Sequence, residues 1–435
     1  MPLSFLTPLL AAAAVAQTPQ STAEPAPVTI AVPPFPTPRS SESGSSDAVA
    51  TGYRIAELIA SDLRSTRRFL PLASQLAGPY PYPEFSGPNF RRWRSTGAAA
   101  LVTGFVQPES DGRLTVGCYL FDVTTGRETV RRGFRVEADQ WRAAAHRCAD
   151  AVHNALAGRP GYFESRIAYV AESGPRDFTI KRLAVMDRDG SNHRYITAGA
   201  VLALGPQLSP DGTRLVYTSY AGRVPQVTLL DVGSGEERPL GPERAISFAP
   251  RFSPDGQRVV FSVANAGNTD LVMVDLAGGP PVELTYAPGT DTSPSFSPDG
   301  RQIVFESDRS GSQQLYVMNA DGSAQRRISF GGARYASPAW SPDGERIAFT
   351  RIFEGLLRIG IMNPDGSGER VLSDSGRDEG PSWSPSSREI AFQRTDPATG
   401  RPALYRMSVG GGAATRLPAP QDGSDPSWAA VSEGQ

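Results

Sequence analysis

Residues 250–262, Pro250-Arg-Phe-Ser-Pro-Asp-Gly-Gln-Arg-Val-Val-Phe-Ser262, decide the fold, because the phrase returns four more times. PQLSPDGTRLVYTS begins at Pro206, PSFSPDGRQIVFES at Pro294, PAWSPDGERIAFT at Pro338 and PSWSPSSREIAF at Pro381. The second proline of each phrase falls at Pro210, Pro254, Pro298, Pro342 and Pro385, so the steps are 44, 44, 44 and 43 residues. A fixed period of about 40–50 residues with strands inside each unit is the signature of a β-propeller.

Each unit breaks into four pieces. A short strand ends in SPDG, and a second follows at once, as in Arg346–Thr350. A third is apolar almost throughout, as in Asp270–Asp275, and a short fourth ends the unit, as in Arg326–Ser329. In the SPDG turn proline presets φ, aspartate bonds nearby amides and glycine takes φ > 0. The near-continuous apolar runs suit a sheet covered on both faces, which is the position of a blade between two others.

The incomplete ends give the blade count. Arg166–Ala171, Arg182–Asp187 and Arg194–Thr197 are pieces two, three and four with no piece one before them. Asp425-Pro-Ser-Trp428 is a piece one with nothing after it, 45 residues beyond Trp383. The expectation is an all-β six-bladed propeller over 160–435, closed by the C-terminal strand, with Trp428 beside Ile167 and Tyr169. Closure removes the edges that an open array would expose.

The front of the chain has no such period. Ile55, Leu58, Ile59 and Leu63 share one helical face, and strands are expected at Val28–Val32, Ala98–Phe105, Leu114–Phe121 and Glu128–Val136. A second helix carries Trp141, Ala145, Cys148, Val152 and Leu156 on one stripe. This reads as an α/β domain over 28–159, ended by Gly158 and Pro160-Gly161. The opening MPLSFLTPLLAAAAVAQ reads as an export signal over 1–16, cleaved after Ala14-Val15-Ala16, with a flexible segment 17–27 behind it. No run is long and apolar enough to span a bilayer, so direct membrane insertion is not expected. With 43 Lys and Arg against 45 Asp and Glu, no basic excess points to nucleic acid.

The junction makes a family resemblance specific. Trp141-Arg-Ala-Ala-Ala-His-Arg-Cys-Ala-Asp150, then Leu156-Ala-Gly-Arg-Pro-Gly-Tyr-Phe-Glu-Ser-Arg-Ile-Ala-Tyr-Val170, resembles the domain junction of the TolB family. Ala31-Val-Pro-Pro-Phe35, and Trp93 with Gly97 and Gly104-Phe-Val106, resemble that family's front-domain motifs. The resemblance implies a monomeric, non-enzymatic periplasmic protein of the Tol–Pal cell-envelope system. It implies binding to the lipoprotein Pal through the propeller and to TolA through Gln17–Pro27, with a role in outer-membrane integrity and division. The competing class is a secreted propeller hydrolase or glycan-binding module.

No catalytic, metal or cofactor site is expected. A G-x-S-x-G nucleophile elbow is missing. Among three histidines, His146 and His153 lie seven apart on one helix and read as packed residues, and His193 sits by a hairpin. Asp187-Arg-Asp-Gly190 and its relatives read as hairpin turns and not as calcium loops. The residues just before each inner strand should cluster at one mouth of the channel as the partner site. They are Leu204, Ser247, Phe248, Ala249, Asp291, Thr292, Ser293, Tyr335, Ala336, Asp378, Glu379 and Asp425. The resemblance points to the positions of Ala249-Pro250 and of Thr292 and Pro294 for Pal. Cys118 and Cys148 could face one sheet–helix core, as a disulfide or as two buried thiols.

Overall fold

The computed structural model describes residues 26–38, 46–73, 79–159, 161–265 and 267–431. The expected signal and most of the 17–27 segment lie outside the described residues. The chain divides into two compact units, Met1–Ala138 and Asp139–Gln435. Sequence punctuation places the limit at 159/160; division by compactness places it before the second long helix.

In the first unit, β1 (Val28–Ala31), β2 (Phe69–Pro71), β3 (Ala100–Pro108), β4 (Arg113–Asp122) and β5 (Glu128–Glu137) form one sheet of order β2-β1-β3-β4-β5. β1 pairs in parallel with β2 and β3, and β3 to β5 form an antiparallel meander. Helix α1 (Ser46–Ser65) buries Ile55, Ile59 and Leu63, as its period requires, while Leu58 is only half-buried. The short helix α2 (Phe90–Ser95) buries Trp93 in a cluster with Leu101 and Phe121.

In the second unit, helix α3 (Trp141–Ala157) leads into the propeller and ends at Gly158, whose φ of +65 glycine reaches without strain. Six four-stranded antiparallel sheets follow. Blade 1 joins Asp422–Ala430 from the C-terminal end to Ser165–Ser173, Ile180–Asp187 and Arg194–Tyr195. Trp428 pairs with Ile167, packs in one cluster with Tyr169, and donates from Nε1 to Ser165 Oγ at 2.9 Å. The inner strands of blades 2 to 6 are Ala203–Leu208, Ile246–Phe252, Asp291–Phe296, Arg334–Trp340 and Asp378–Trp383. Each inner strand contacts the next around a closed ring.

Antiparallel order gives the propeller two distinct ends. Links from strand one to two, and from three to four, lie at one end. Links from two to three, and from each blade to the next, lie at the other. The first end holds the SPDG turns, which are nearly identical. Ser253 Oγ donates to Asp255 Oδ1 at 2.5 Å and accepts from Arg258 N at 2.9 Å, while Gly256 takes φ +68. The same bonds recur around Ser209, Ser297 and Ser341. α3 sits at this end too: Arg142 bonds Asp189 in the three-to-four hairpin of blade 1, and Arg147 pairs with Glu164 at 2.7 Å. Among the described residues no helix is long and apolar enough to cross a membrane.

Candidate functional site

The channel wall is built by a device repeated six times. Each inner strand carries one residue in the left-handed region and then a buried proline: Gly205, Ala249, Ser293, Ser337, Gly380 and Asp425. The pairing register with the second strand shifts at this point in every blade. These are β-bulges, which add an unpaired residue and bend the strand. Several of the freed amides bond the preceding blade. Ser337 N donates to Glu306 Oε2 at 2.9 Å, Gly380 N to Thr350 Oγ1 at 3.1 Å and Asp425 N to Gln393 Oε1 at 2.8 Å. In blade 1 the corresponding residue is Val170, which cannot accept, and Gly205 N bonds Asp425 Oδ2 at 3.2 Å instead.

Two residues beyond the bulge in blades 2 to 6, side chains again line the channel. Gln207, Arg251, Ser295, Ala339 and Ser382 border a cavity of about 250 Å³ with Gly205, Ser337, Gly380 and Asp425. Trp340, Trp383 and Trp428, with Pro342, Pro381 and Pro426, complete the wall. Polar side chains of blades 2 to 4 therefore face aromatic and proline surface from blades 5, 6 and 1. Burial pushes the Arg251 guanidinium down to about 10, and the charge of Asp425 only partly offsets this. Burial also pushes the Asp425 carboxyl up, opposed by the Gly205 amide and by Lys181 and Arg251.

The residues predicted at the mouth fall into two groups. Asp291 and Asp378 are fully buried, where they pair with Arg309 at 2.5 Å and Arg394 at 2.6 Å. Tyr335 is 1% exposed, bonded to Glu369 at 2.8 Å, and burial followed by Glu369 raises its phenol to about 12. Ser247 accepts from Val227 N, and Thr292 accepts from Ser262 Oγ at 3.0 Å. Ser247 and Thr292 bond the preceding blade, while Asp291, Tyr335 and Asp378 brace their own. Leu204, Phe248, Ala249, Ser293, Ala336, Glu379 and Asp425 keep partial exposure.

The sequence reading missed a larger feature of the same end. Phe178, Tyr220, Tyr286, Phe330, Phe353 and Leu356 are exposed, Phe178 at 79%, Tyr286 at 70% and Phe330 at 65%. Every one lies in, or at the edge of, a two-to-three loop or a blade-to-blade loop. Ile180, Val201, Leu202 and Ile246 extend the set at this end. The other exposed large apolar residues described in this unit, Tyr195, Val282 and Val371, are on outer strands. The signal available was an aromatic just after the fourth strand, as in Leu284-Thr-Tyr286 and Ile328-Ser-Phe330. It stands outside the repeat phrase, so the 44-residue period does not reveal it.

His146, Asp187 and Asp189 bring possible metal-ligand atoms within 4.8 Å of one another. Both carboxylates are already engaged: Asp189 by Arg142 and Ser191, Asp187 by Asn192 at 2.6 Å. A guanidinium on the shared carboxylate makes this an ion-paired hairpin rather than a cation cage. His153 Nδ1 lies 3.2 Å from Arg159 O and its ring stands edge-on to Phe163. Neither cysteine is a free thiol; both are in the disulfide state.

The fold and its channel define a six-bladed propeller closed by its own C-terminal strand, carried with a smaller α/β unit. The profile described as the TolB beta propeller domain matches residues 153–432, and that of the TolB amino-terminal domain matches 21–129. The chain belongs to the TolB family. It is 49% identical over 212 residues to the Tol-Pal system protein TolB of Zymomonas mobilis, covering 49% of this chain and 46% of that one. It is 48% identical over 194 residues to the Tol-Pal system protein TolB of Rhizorhabdus wittichii, covering 45% and 44%. The matched stretch thus spans about half the length of these curated relatives. The crystal structure of TolB from Acinetobacter baumannii superposes with a TM-score of 0.77 at 27% identity, over 93% of this chain and 96% of that one.

Proposed function

We propose that this chain is a periplasmic component of the Tol–Pal system that works by binding other proteins and not by catalysis. It binds the lipoprotein Pal at the propeller end that carries the blade-to-blade loops. It binds TolA through Gln17–Pro27. By these contacts it maintains outer-membrane integrity and the constriction of that membrane at division. The observation that carries the reading is the concentration of exposed aromatic and aliphatic side chains around this one mouth. Such residues at the surface mark protein docking sites. The partly exposed Ala249, Ser293, Ala336 and Glu379 lie inside that ring and belong to the same surface in this reading.

Titration of the purified protein with the soluble domain of Pal tests it. The double variant Tyr286→Asp/Phe330→Asp should bind at least about tenfold more weakly, with an unchanged thermal melt. Unchanged affinity would move the site elsewhere. Deleting Gln17 to Pro27 should abolish TolA binding and leave Pal binding intact. Turnover of a peptide or glycan by the purified chain would favour a secreted hydrolase instead.

A further inference from the structure

The cavity inside the propeller is separate from the apolar loops, and its chemistry is more selective than a water-filled channel requires. Arg251 lies on its wall and also borders a second cavity, of about 160 Å³, toward the SPDG end, lined by Pro210, Phe252 and Pro254. Its guanidinium makes one hydrogen bond among the described residues, from Nη1 to the adjoining Pro250 O at 3.0 Å. Among the described residues no carboxylate comes within ion-pair distance of it. Asp425 acts on it only through the field, because that carboxylate is turned to the Gly205 amide. Gln207, on the same wall, accepts from Ser427 Oγ with its side-chain oxygen at 3.2 Å, which leaves its NH₂ group as a further donor. A half-buried guanidinium left with unused N–H groups favours an anion.

The rest of the wall narrows the anion. A planar fork of N–H groups matches a carboxylate in two parallel bonds. Asp425 in the same cavity disfavours a dianion such as phosphate. Trp340, Trp383 and Trp428 also border the cavity; packed into their blades, each keeps only 5–8% exposure, and their indole N–H groups are used elsewhere, on Gly344 O, Ala339 O and Ser165 Oγ. What they have left to offer the cavity is a narrow apolar ring edge each. The volume of about 250 Å³ approaches the low end of small-molecule sites, roughly 300 Å³.

We infer that the propeller channel is a binding site for a monocarboxylate with a flat apolar body, the carboxylate on Arg251 and the body against the tryptophan wall. Two sources share this chemistry: a free small organic acid, and an acidic side chain inserted by a docked protein. The site does not depend on the Tol–Pal reading.

Benzoate is the probe, with benzamide as its uncharged counterpart. Tryptophan fluorescence and calorimetry on the full chain should show benzoate saturating a single site and benzamide binding at least tenfold more weakly. Arg251→Gln should lower benzoate affinity at least tenfold while keeping the thermal melt, since it removes a charge and little packing. Ala339→Leu, which leaves the charges in place and fills the channel, should also abolish binding. That second variant keeps the test sharp if Arg251→Gln folds poorly. Equal binding of benzoate and benzamide, no binding of benzoate up to its solubility limit, or full affinity in both variants would overturn the site. If benzoate competes with the soluble domain of Pal, the carboxylate comes from the protein partner. If the two bind independently, it comes from a free acid.

Discussion

The two ends of the propeller are made by the same strands and have opposite characters. At the SPDG end, side chains close on their own backbone. Ser253 and Asp255 satisfy each other and the amides of Gln257 and Arg258, and the set repeats from blade to blade. At the other end the loops differ in every blade and leave aromatic rings in water. Repetition accompanies folding, because every blade needs the same turn to reverse the chain. Divergence suits the recognition proposed for this end, because one partner surface cannot be matched by six identical loops. Not all of the second end is free for recognition, however: Asp291 and Asp378 are as deeply buried there as any core residue.

The largest test of the comparison concerns the ring that holds both ends. Ending the chain before Pro426 removes Trp428 from its cluster with Ile167 and Tyr169. Losing a buried tryptophan alone costs about 3–5 kcal/mol. A calorimetric scan should show the melt falling by on the order of 10 °C or more. An unchanged melt would mean that closure is not needed.

Next comes the buried pair at the end that carries the blade-to-blade loops. Asp378→Asn leaves Arg394 without its bidentate partner at 2.6 and 2.9 Å, and should cost about 3 kcal/mol in urea unfolding. A cost near zero would return Asp378 to the group available for binding.

At the SPDG end the effects should be smaller and confined to stability. Asp255→Ala loses the bonds from Ser253 and Gln257 and should cost about 1 kcal/mol or less, with no change in Pal affinity. Should it weaken binding as much as Tyr286→Asp, the division of labour between the ends fails. The Asp255 and Asp299 carboxyls are held below the usual range, first by the hydroxyls of Ser253 and Ser297, then by backbone amides. A lowered folded value means stability present above the ordinary carboxylate value, near 4, and lost as pH falls through the folded one. Melting between pH 5 and 2 should therefore drop less steeply in Asp255→Ala than in the parent.

The smallest effect belongs to the bulge. Ala249 holds φ +52 in the left-handed region, which glycine adopts without strain. Ala249→Gly should stabilise by up to about 1 kcal/mol. Destabilisation would show that the alanine methyl packs against something that matters more than the strain.

Much of this was legible beforehand. The 44-residue step and the stray Asp425–Trp428 phrase placed the last strand in blade 1, since a strand that lacks neighbours in sequence must find them in space. The alternation around Ile55 and Ile59 placed α1. β2, α2 and the turn Tyr82–Phe85 were not read, because each is too short for its periodicity to stand out. Position along the strand grouped Asp291, Tyr335 and Asp378 with Ala249 and Ser293, yet the first three are buried in the blade and the last two keep partial exposure. A one-residue bulge separates the groups, and a bulge reverses which side a residue faces.

By itself the sequence determined the number of blades, the closing strand and the turn chemistry. These follow from local periodicity and from turns whose bonds span five residues or fewer. Only the tertiary structure decided which side chains meet across the channel. Arg251, Asp425 and Trp383 come from three different blades, and their separations in sequence carry no trace of the ring that brings them together. It also decided which aromatics stay in water, since exposure depends on neighbours contributed by other blades and not on the residues alongside.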